Sequence, residues 1–395
     1  MTETILAFNI GSSSIKYALY DTPETEGSNP LQKTEGGQIS RLGLIPVFKS
    51  DKETVIHELT NGMDHKAALE WMIDHLNLKS EEKNIVAVGH RVVHGGIDYK
   101  EAQIISQPII EKLEELSPLA PTHQPFNLMG IKTISELWPQ LPQVACFDTS
   151  FHRTAPHLAQ LYALPNEFAD EGIVRFGFHG LSYEYIASIL PTFLGDKARG
   201  KVIVLHLGHG CSMCALSNLK SQDTTMGFSA LGGLMMGKRC GDIDPGVLLH
   251  LMREKDYSVD ELEKLLSKQS GLLGVSGVSD DMRDLLASEA PKAAEAVDLF
   301  VYKICEAIGR LAVTLGGLDA LVFTGGIGEN SVEIRRRIIK KLAWLNIEID
   351  DEKNRSQSIE IHKEQSLAKV LVLKTDEEKI IAANTLNKIK LKAEV

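Results

Sequence analysis

Short apolar runs alternate along the chain with glycine-rich or polar stretches, and several have the length of a buried strand. The runs "ILAF", from Ile5, and "VIVL", from Val202, each lead into a small-residue turn, "NIGSSS" and "HLGHGCS". "IVAVGHRVV" and "QVACF" are similar runs that end in glycines or in an acid followed by hydroxyls. Strands of this kind, alternating with helices, predict an α/β architecture with ligands at the strand ends.

Helical spacing predicts the elements between these strands. Over residues 64–78 one face carries Ala68, Trp71, Met72 and His75 or Leu76. A longer helix is predicted over residues 292–315, where a glycine pair stops it. The polar stretch over residues 22–37 predicts a loop between strands of a meander.

Two further helix starts are predicted from capping residues. Asp244 followed by Pro245 is typical of an N-cap and first helical position. In "TDEEKIIAANTLNKI" the spacing predicts a capping box, with Thr375 as N-cap and Glu378 at the third position.

The two small-residue turns occupy matching places in the two halves of the chain. When Asn9 is aligned with His206, Gly11 falls on Gly208. A single turn of this kind is more often an ordinary hairpin, but two in matching contexts predict a duplicated domain. Because backbone N–H groups in such turns can wrap phosphate oxygens, two facing loops would form a nucleotide cleft.

Length and composition fit this picture. With 395 residues the chain suits two domains, and 43% hydrophobic with 24% charged residues is typical of a globular protein. A net charge of −11 argues against nucleic-acid and anionic-membrane partners. The N-terminal segment lacks the pattern of a signal peptide and no run is long enough to span a membrane, so a cytoplasmic location is expected.

Five scattered cysteines fit reduced thiols. Cys211 and Cys214 form a C-x-x-C without a second pair, and they follow a turn in a predicted strand. They are therefore interpreted as small buried hydrophobic residues rather than zinc ligands.

Cationic groups that suit phosphate chemistry stand at glycine-rich strand ends. Lys16 follows the first turn, Arg91 follows a strand in "GHRVVHGG", and Arg239 lies in a glycine-flanked loop. Each arginine alone could be a surface ion pair, and His179 in "RFGFHG" alone could be a core histidine. Their glycine-rich setting favours phosphoryl transfer, which needs positive charge around the moving group.

Oxygen ligands and a third glycine turn complete the candidates. Asp148 ends a buried strand, and Glu377 falls in the first turn of the last helix, where helix-dipole complementarity is the simpler explanation. Asn9 and Glu377 would suffice for Mg²⁺, which takes one or two protein oxygens plus waters. The turn "GGIGEN" at residues 325–330 lies between a strand and a helix, a context that suits a nucleotide.

These motifs, taken together, resemble the acetate kinase family of short-chain carboxylate kinases. The resemblance covers nearly the whole chain and rests on the blocks "NIGSSSIKY", "GHRVVHGG", "FDTSFH", "GFHG", "HLGHG", "MGKRCGDIDPG", "SGVSDDMRD", "FTGGIGENS" and "TDEE". It implies two duplicated actin-like, ribonuclease H-like domains with a central cleft. The implied domains are 1–149 with 378–395, on the acyl and Mg²⁺ side, and 150–377, which binds ATP.

The resemblance also implies the reaction ATP + acetate ⇌ ADP + acetyl phosphate, with Mg²⁺ (or Mn²⁺), in a homodimer. Asn9 and Glu377 would hold the metal, and Arg91 would bind the carboxylate. His179 and Arg239 would stabilise the moving phosphoryl group, with Asp148 as an active-site acid. The implied acyl pocket consists of Val93, Thr122, Phe178 and Ala230. The implied ATP-binding residues are Lys16, His206, Leu207, Gly208, His209, Gly210, Asp281, Met282, Arg283, Gly326, Ile327, Gly328, Glu329 and Asn330.

The sequence departs from the family pattern around the acyl pocket. "APTHQPFN" has Thr122 where the family commonly has Leu, and "FSALGG" has Ala230 where Pro is usual. His209 stands in place of the common Asn. Propionate or butyrate kinase is therefore the alternative within the family. A non-catalytic ATP-binding protein of the actin type and a hydroxyl kinase are the alternatives outside it. An ionised carboxylate needs no general base, which favours an acid over a hydroxyl substrate. Among the acids, acetate is the first choice.

Overall fold

The structure, a computed structural model, describes residues 2–22 and 31–393. Two compact units are present, one drawn from Met1–Phe151 and Asp376–Val395 and the other from His152–Thr375. Their assignment as acyl-substrate and ATP-binding domains stays a prediction.

The first unit is built around a mixed sheet. Its strands are β1 (Thr4–Ile10), β2 (Ser14–Asp21), β3 (Gln32–Ser40), β4 (Val47–Ser50), β5 (His57–Glu58), β6 (Ile85–Val92), β7 (Gln103–Ile104) and β8 (Gln143–Phe147). In the described part of the unit they form one eight-stranded sheet in the order β5-β4-β3-β2-β1-β6-β8-β7. Its first helices are α1 (His65–His75), α2 (Gln107–Glu115) and α3 (Gln124–Leu137).

The second unit contains a five-stranded sheet in the order β11-β10-β9-β12-β13. These strands are β9 (Lys201–Leu207), β10 (Cys211–Ser217), β11 (Lys220–Thr224), β12 (Ala320–Thr324) and β13 (Lys369–Val372). Its helices are α4 (His157–Gln160), α5 (Asn166–Asp170), α6 (Gly180–Leu194), α7 (Pro245–Glu254), α8 (Val259–Lys268), α9 (Gly271–Ser276), α10 (Met282–Ala287), α11 (Pro291–Leu315), α12 (Gly325–Asn330), α13 (Val332–Lys341) and α14 (Asp351–Arg355). The chain then enters α15 (Glu377–Ala393), which belongs to the first unit.

Short 3₁₀ turns occur at Glu81–Lys83, Ser117–Leu119, Ser150–Thr154, Gly195–Arg199 and Ala343–Leu345.

The two sheets share one topology. In the first, β1 pairs antiparallel with β2, β2 pairs antiparallel with β3, and β1, β6 and β8 are parallel neighbours. In the second, β9 pairs antiparallel with β10, β10 with β11, and β9, β12 and β13 are parallel neighbours. The β1–β2 and β9–β10 turns hold the two small-residue motifs at equivalent positions. This repetition confirms the predicted duplication.

Helix α15 packs on the first sheet against β1, β6 and β8. Gly89 in β6 permits the close approach, because a Cβ at that position would collide with Thr385 and Ile381 of α15. The buried residues between Thr4 and Asn9 in β1, and between Gln143 and Asp148 along β8, are all apolar, so polar groups are confined to the ends of these strands. The helix therefore brings its first turn, with Glu377, to the unit that contains those strand ends.

The predicted capping box at Thr375 is wrong. Asp376 caps α15 instead, since its Oδ1 accepts a hydrogen bond of 3.0 Å from the backbone N–H of Lys379. Thr375 is engaged elsewhere, because its hydroxyl accepts from Ser182 and its N–H donates to Glu329. Glu378 lies in the first turn but not at the third position of a Thr375 cap.

The loop predicted over residues 22–37 is only partly correct. Residues 23–30 lie outside the described residues, but β3 begins at Gln32, inside the predicted loop. This strand is rich in glycine and charge, yet it is paired on both sides, by β2 and by β4. Its buried Glu35 accepts a hydrogen bond of 3.0 Å from the Tyr17 hydroxyl, which compensates for burying a carboxylate.

The other helix predictions are confirmed with small shifts at their ends. The helix over 64–78 is α1, which buries Ala68 and Met72 as expected, together with Leu69 and Ile73. The Asp244 carboxylate caps α7 by accepting from the N–H of Gly246. The long helix is α11, which ends at Gly316. None of the helices in residues 2–22 and 31–393 combines the length and apolarity needed to cross a bilayer.

Candidate active site

Four predicted residues of the first unit lie together at one edge of its sheet. Asn9 is near the end of β1, Arg91 near the end of β6, and Asp148 directly after β8. Because parallel strands end at the same edge, the three side chains converge. Glu377, the first residue of α15, joins them there.

Arg91 and Asp148 form a forked ion pair. The Nε of Arg91 donates to both carboxylate oxygens of Asp148 at 3.1 Å, and Nη2 donates to Oδ2 at 2.6 Å. The third nitrogen, Nη1, donates to Oδ1 of Asn9 at 3.0 Å. Asp148 has 1% of its surface exposed. The carboxylate therefore fixes the plane of the guanidinium and is well placed to orient it.

Burial opposes the charge of the Arg91 guanidinium, but the Asp148 and Glu377 carboxylates outweigh it, so the pKa of Arg91 lies above its ordinary value. Burial raises the pKa of Asp148, and the guanidinium of Arg91 counteracts that rise. Arg91 is therefore a permanent cation at this edge, able to attract an anionic substrate.

The acidic side of the cluster fits a divalent cation. Asn9 Nδ2 donates to Glu377 at 3.1 Å and to Glu378 at 3.4 Å, so an amide and two carboxylates meet within one small region. Burial raises the pKa of Glu378; the charge of Lys16 lowers it and the neighbouring Glu377 raises it again. Carboxylate oxygens are ligands that Mg²⁺ prefers, and the Asn9 oxygen, which here accepts from Arg91, would join them if the amide group turned over. Glu378 was missed in the sequence, although it adjoins Glu377 in "TDEE".

Buried amides hold the strand ends of this unit in place. Asn127 in α3 accepts from the N–H of Val93 at 3.0 Å and donates to the carbonyl of Ile10 at 2.7 Å. It thereby links the ends of β6 and β1. Thr122, predicted for the acyl pocket, forms a hydrogen bond of 2.8 Å between its hydroxyl and His123 Nδ1.

In the second unit, two histidines are stacked beside the β9–β10 turn. The rings of His179 and His206 lie 4.4 Å apart with an interplanar angle of 24°. His179 Nδ1 is hydrogen-bonded to Ser212 and His206 Nδ1 to Ser182, each at 2.8 Å. His179 has a φ of 59°, in the left-handed region, at the start of α6. The ring is thus held by a neighbouring strand rather than left to rotate.

The side chains of Arg239 and His179 both lie close to Gly210 in the β9–β10 turn. A Cβ at this position would lie 2.6 Å from Arg239 Nη2 and 3.3 Å from His179 Nε2. Arg239 Nη1 also donates to the carbonyl of Ala230 at 2.7 Å. The second turn therefore sits directly against the predicted guanidinium and imidazole, and its glycine leaves room for both.

We expect Gly210→Ala to lower kcat about 10²-fold with little change in stability, because the new methyl group must push Arg239 aside by about 1 Å. Steady-state kinetics and thermal unfolding would measure both effects. Gly309→Ala is the matched control, since a Cβ there meets nothing within 4 Å. Unchanged kcat in Gly210→Ala would show that the position of Arg239 does not matter for turnover.

A cavity of about 890 Å³ opens in the second unit between the β9–β10 turn, α10 and α12. This volume is in the range of small-molecule sites. Eight predicted ATP-binding residues line it, namely Gly208, His209, Asp281, Met282, Arg283, Gly326, Ile327 and Asn330. Leu286 and Ala287 of α10 add an apolar wall that the sequence motifs did not indicate.

The remaining predicted ATP-binding residues lie outside the lining of this cavity. Leu207 and Gly328 are buried, while His206 is stacked on His179. Gly210 faces Arg239, and Glu329 bonds to the backbone of Gly325. Lys16 belongs to the first unit, on β2 opposite Asn9.

The glycine turn at residues 325–330 forms the short helix α12. Gly325 has a φ of 77°, and a Cβ there would approach the backbone of Leu207 to about 3 Å. Glu329 Oε1 accepts from the N–H of Gly325 at 2.9 Å and from that of Thr375 at 3.3 Å. The Glu329 carboxylate therefore links the start of this turn to Thr375, the last residue of the second unit.

Arg335 also supports this turn, and no sequence motif pointed to it. It is fully buried, and its Nη1 donates to the carbonyls of Gly328 and Glu329 at 2.9 and 2.8 Å. Its Nε donates to Asn354 at 2.8 Å. Burial lowers the pKa of Arg335 to about 10. In the run "EIRRRIIKK" three arginines follow one another, and only the helical register determines that Arg335 is buried while Arg336 and Arg337 are partly exposed.

The surroundings of Cys211 and Cys214 agree with the prediction that both are small buried side chains. Cys211 and Cys214 are both buried in β10. Burial raises the pKa of the Cys211 thiol to about 12. They serve as small core side chains.

A duplicated ribonuclease H-like sheet, with a cavity among glycine turns, is the architecture of actin-like phosphotransferases. A family model described as the acetokinase family matches residues 4–383. Acetate kinases of Rhodopseudomonas palustris and Clostridium botulinum are 49% and 44% identical, covering 97% and 96% of this chain and 97% and 98% of their own.

Solved structures give the same result. A propionate kinase of Francisella tularensis has a TM-score of 0.89 at 38% identity, covering 98% of this chain and 99% of its own. An acetate kinase of Porphyromonas gingivalis has a TM-score of 0.85 at 36% identity, covering 98% and 100%. The chain belongs to the acetokinase family. The predicted family, the two-domain actin-like fold and the phosphotransferase class are confirmed.

Proposed function

We propose that the chain is an acetate kinase, which transfers the γ-phosphoryl group of ATP directly to acetate in a reversible reaction. The observation that supports this most is the Arg91 guanidinium, held in plane by a buried Asp148 at the end of β6. A fixed cation there can bind a carboxylate, whereas a hydroxyl substrate would instead need a base.

In the proposed mechanism ATP binds along the cavity of the second unit, and acetate binds to Arg91. A carboxylate oxygen attacks the γ-phosphorus as the bond to the bridging oxygen of ADP breaks. His179 and Arg239, beside Gly210, donate hydrogen bonds to the equatorial oxygens, where negative charge is spread in the transition state. Asp148 positions Arg91 rather than removing a proton, because acetate is already ionised near neutral pH.

Asn9 and Glu377, with Glu378 beside them, would hold Mg²⁺, or Mn²⁺ in its place. When bound, the ion neutralises charge on the nucleotide phosphates. Burial is the main cause that raises the pKa of Glu378, with the charge of Glu377 as a smaller one, and a bound cation would favour the ionised carboxylates.

The proposal is tested by incubating the protein with Mg-ATP and hydroxylamine, and offering acetate, propionate, butyrate or glycerol. We expect acyl hydroxamate with the acids and ADP release only when an acid is present. If no acid yields hydroxamate while ATP still binds, the chain is a non-catalytic nucleotide-binding protein. ADP release with glycerol alone would identify a hydroxyl kinase.

The same assay separates acetate from propionate kinase, the second candidate. Thr122, predicted to line the acyl pocket, is smaller than the usual Leu. We expect Thr122→Leu to lower kcat/KM for propionate relative to acetate by about tenfold or more, since a methylene in a pocket is worth about 1–3 kcal/mol. Thr122→Val, which keeps the size and removes the hydroxyl, is the control. Equal ratios in both variants would place Thr122 outside the pocket.

A homodimer and a cytoplasmic location are also proposed. Helix α7 carries exposed apolar side chains at Val247, Leu249 and Met252, and none of its residues is buried. Leu249 and Met252, three residues apart, share one side of the helix, and exposed apolar side chains of this kind suit contact with a second copy of the chain. Light scattering that gives the mass of a single chain at all concentrations would contradict the dimer. The cytoplasm suits the five free cysteines.

A further inference from the structure

A cluster of two histidines and a glutamate lies outside the candidate active site. Glu53 is in the loop before β5, His57 is the first residue of β5, and His75 is the last residue of α1. His57 Nε2 lies 2.8 Å from one oxygen of Glu53, and His75 Nε2 lies 3.1 Å from the other. Three separate segments of the first unit thus aim one nitrogen or oxygen atom each at a common point.

Aromatic side chains fix the two imidazoles. The Trp71 indole stacks on His75 with centroids 4.4 Å apart and an interplanar angle of 12°. The buried Phe48 contacts both histidines, with centroids 6.0 Å from His57 and 5.3 Å from His75. The imidazole centroids themselves are 4.9 Å apart. Rings packed in this way lose little further freedom when they bind a ligand.

We propose that Glu53, His57 and His75 form a binding site for a divalent transition-metal ion, with Zn²⁺ as the best match. The three donor atoms lie within 4.8 Å of one another. In a tetrahedral zinc site, ligand atoms about 2.0–2.2 Å from the metal are about 3.3 Å apart, so small side-chain rotations close the set. Two imidazoles and a carboxylate are a ligand set that zinc commonly takes.

The surroundings favour a bound cation with an open fourth position. The side chains are 27% exposed for His75 and 33% for His57 and Glu53, which leaves one side of the cluster to water. His75 ends α1, where the helix dipole favours positive charge. Glu53 supplies the one carboxylate of the ligand set, with each of its two oxygens within hydrogen-bond distance of one imidazole.

Zinc binding should be measured by equilibrium dialysis with metal analysis, using tag-free protein in excess Mg²⁺. We expect one zinc ion per chain at micromolar free zinc in the wild type, and a weakening of at least about 100-fold in His75→Gln and in His57→Gln. His157→Gln, an exposed histidine on α4, is the matched control and should bind as the wild type does. All five cysteines remain in each variant, so any zinc bound by thiols is the same in every protein and does not affect the comparison.

Cobalt supplies a second readout that does not depend on activity. Bound Co²⁺ in a tetrahedral site gives visible absorption, and it should quench the Trp71 fluorescence because the indole stacks on a ligand. Both signals should disappear in Glu53→Gln, a substitution that keeps the side-chain size at a partly exposed loop position and so allows the variant to fold. Absence of zinc binding at micromolar concentration, or identical binding in His75→Gln and the wild type, would show that the cluster is an ion-pair network only.

Discussion

Arg239→Gln is expected to lower kcat for acetyl phosphate formation about 10³-fold, the loss typical when an arginine that stabilises a transferring phosphoryl group is removed. Arg239 lies against Gly210 and is held by the carbonyl of Ala230. Its neutral replacement is shorter and cannot supply charge to the equatorial oxygens. The KM for ATP should change much less, because the guanidinium is not part of the lining of the nucleotide cavity.

Steady-state kinetics over both substrates, with the hydroxamate assay as the signal, would measure this effect. Arg355→Gln at the exposed end of α14 is the matched control and should retain full activity. A loss confined to the KM for ATP would assign Arg239 to ground-state nucleotide binding instead.

Arg91→Gln is expected to reduce stability by about 3 kcal/mol as well as to abolish most activity. Removing one partner of a buried ion pair leaves the other charge unpaired, at a cost of about 3–5 kcal/mol. Asp148 would be that charge, since it is almost fully buried and bonded to Arg91 through both oxygens. Urea unfolding measures the stability, and the hydroxamate assay measures the activity.

The double variant Arg91→Gln, Asp148→Asn separates the two roles of this pair. Two neutral amides can bond to each other, so most of the lost stability should return while activity stays low. Recovery of activity together with stability would mean that Arg91 has only a structural part. Near-native turnover and acetate KM in the single variant Asp148→Asn would remove any functional role for that carboxylate.

The local pattern of apolar, polar and glycine residues was enough to predict much of the fold. The two small-residue turns after "ILAF" and "VIVL" predicted the duplicated hairpins, because glycine and hydroxyl residues between apolar runs leave few alternatives. Strand β3 was not predicted, since its glycines and charges suit a loop; pairing with strands on both sides decides its structure. Thr375 was mistaken for an N-cap because its bonds to Ser182 and Glu329 are long-range.

The candidate site, like the fold, could be predicted from the sequence only in part. Arg91, Asp148, Asn9 and Glu377 could be named from motifs, but only the order of the parallel strands and the packing of α15 bring them within hydrogen-bond distance. Arg335 is one of three consecutive arginines, and only its position on α13 buries it beneath the glycine turn. Glu53, His57 and His75 carry no local signature at all, since the cluster depends on how α1 packs against β4 and β5.

In the proposed mechanism, the pair Arg91–Asp148 and the pair His179–Arg239 serve one phosphoryl transfer. The sharpest test is a crystal structure with Mg-ADP, acetate and a planar phosphoryl analogue. We expect Arg91 to contact the acetate carboxylate, and His179 and Arg239 to contact the equatorial atoms of the analogue. Acetate or analogue bound away from these residues, or Arg91 and Arg239 on unconnected surfaces, would rule out the proposed mechanism.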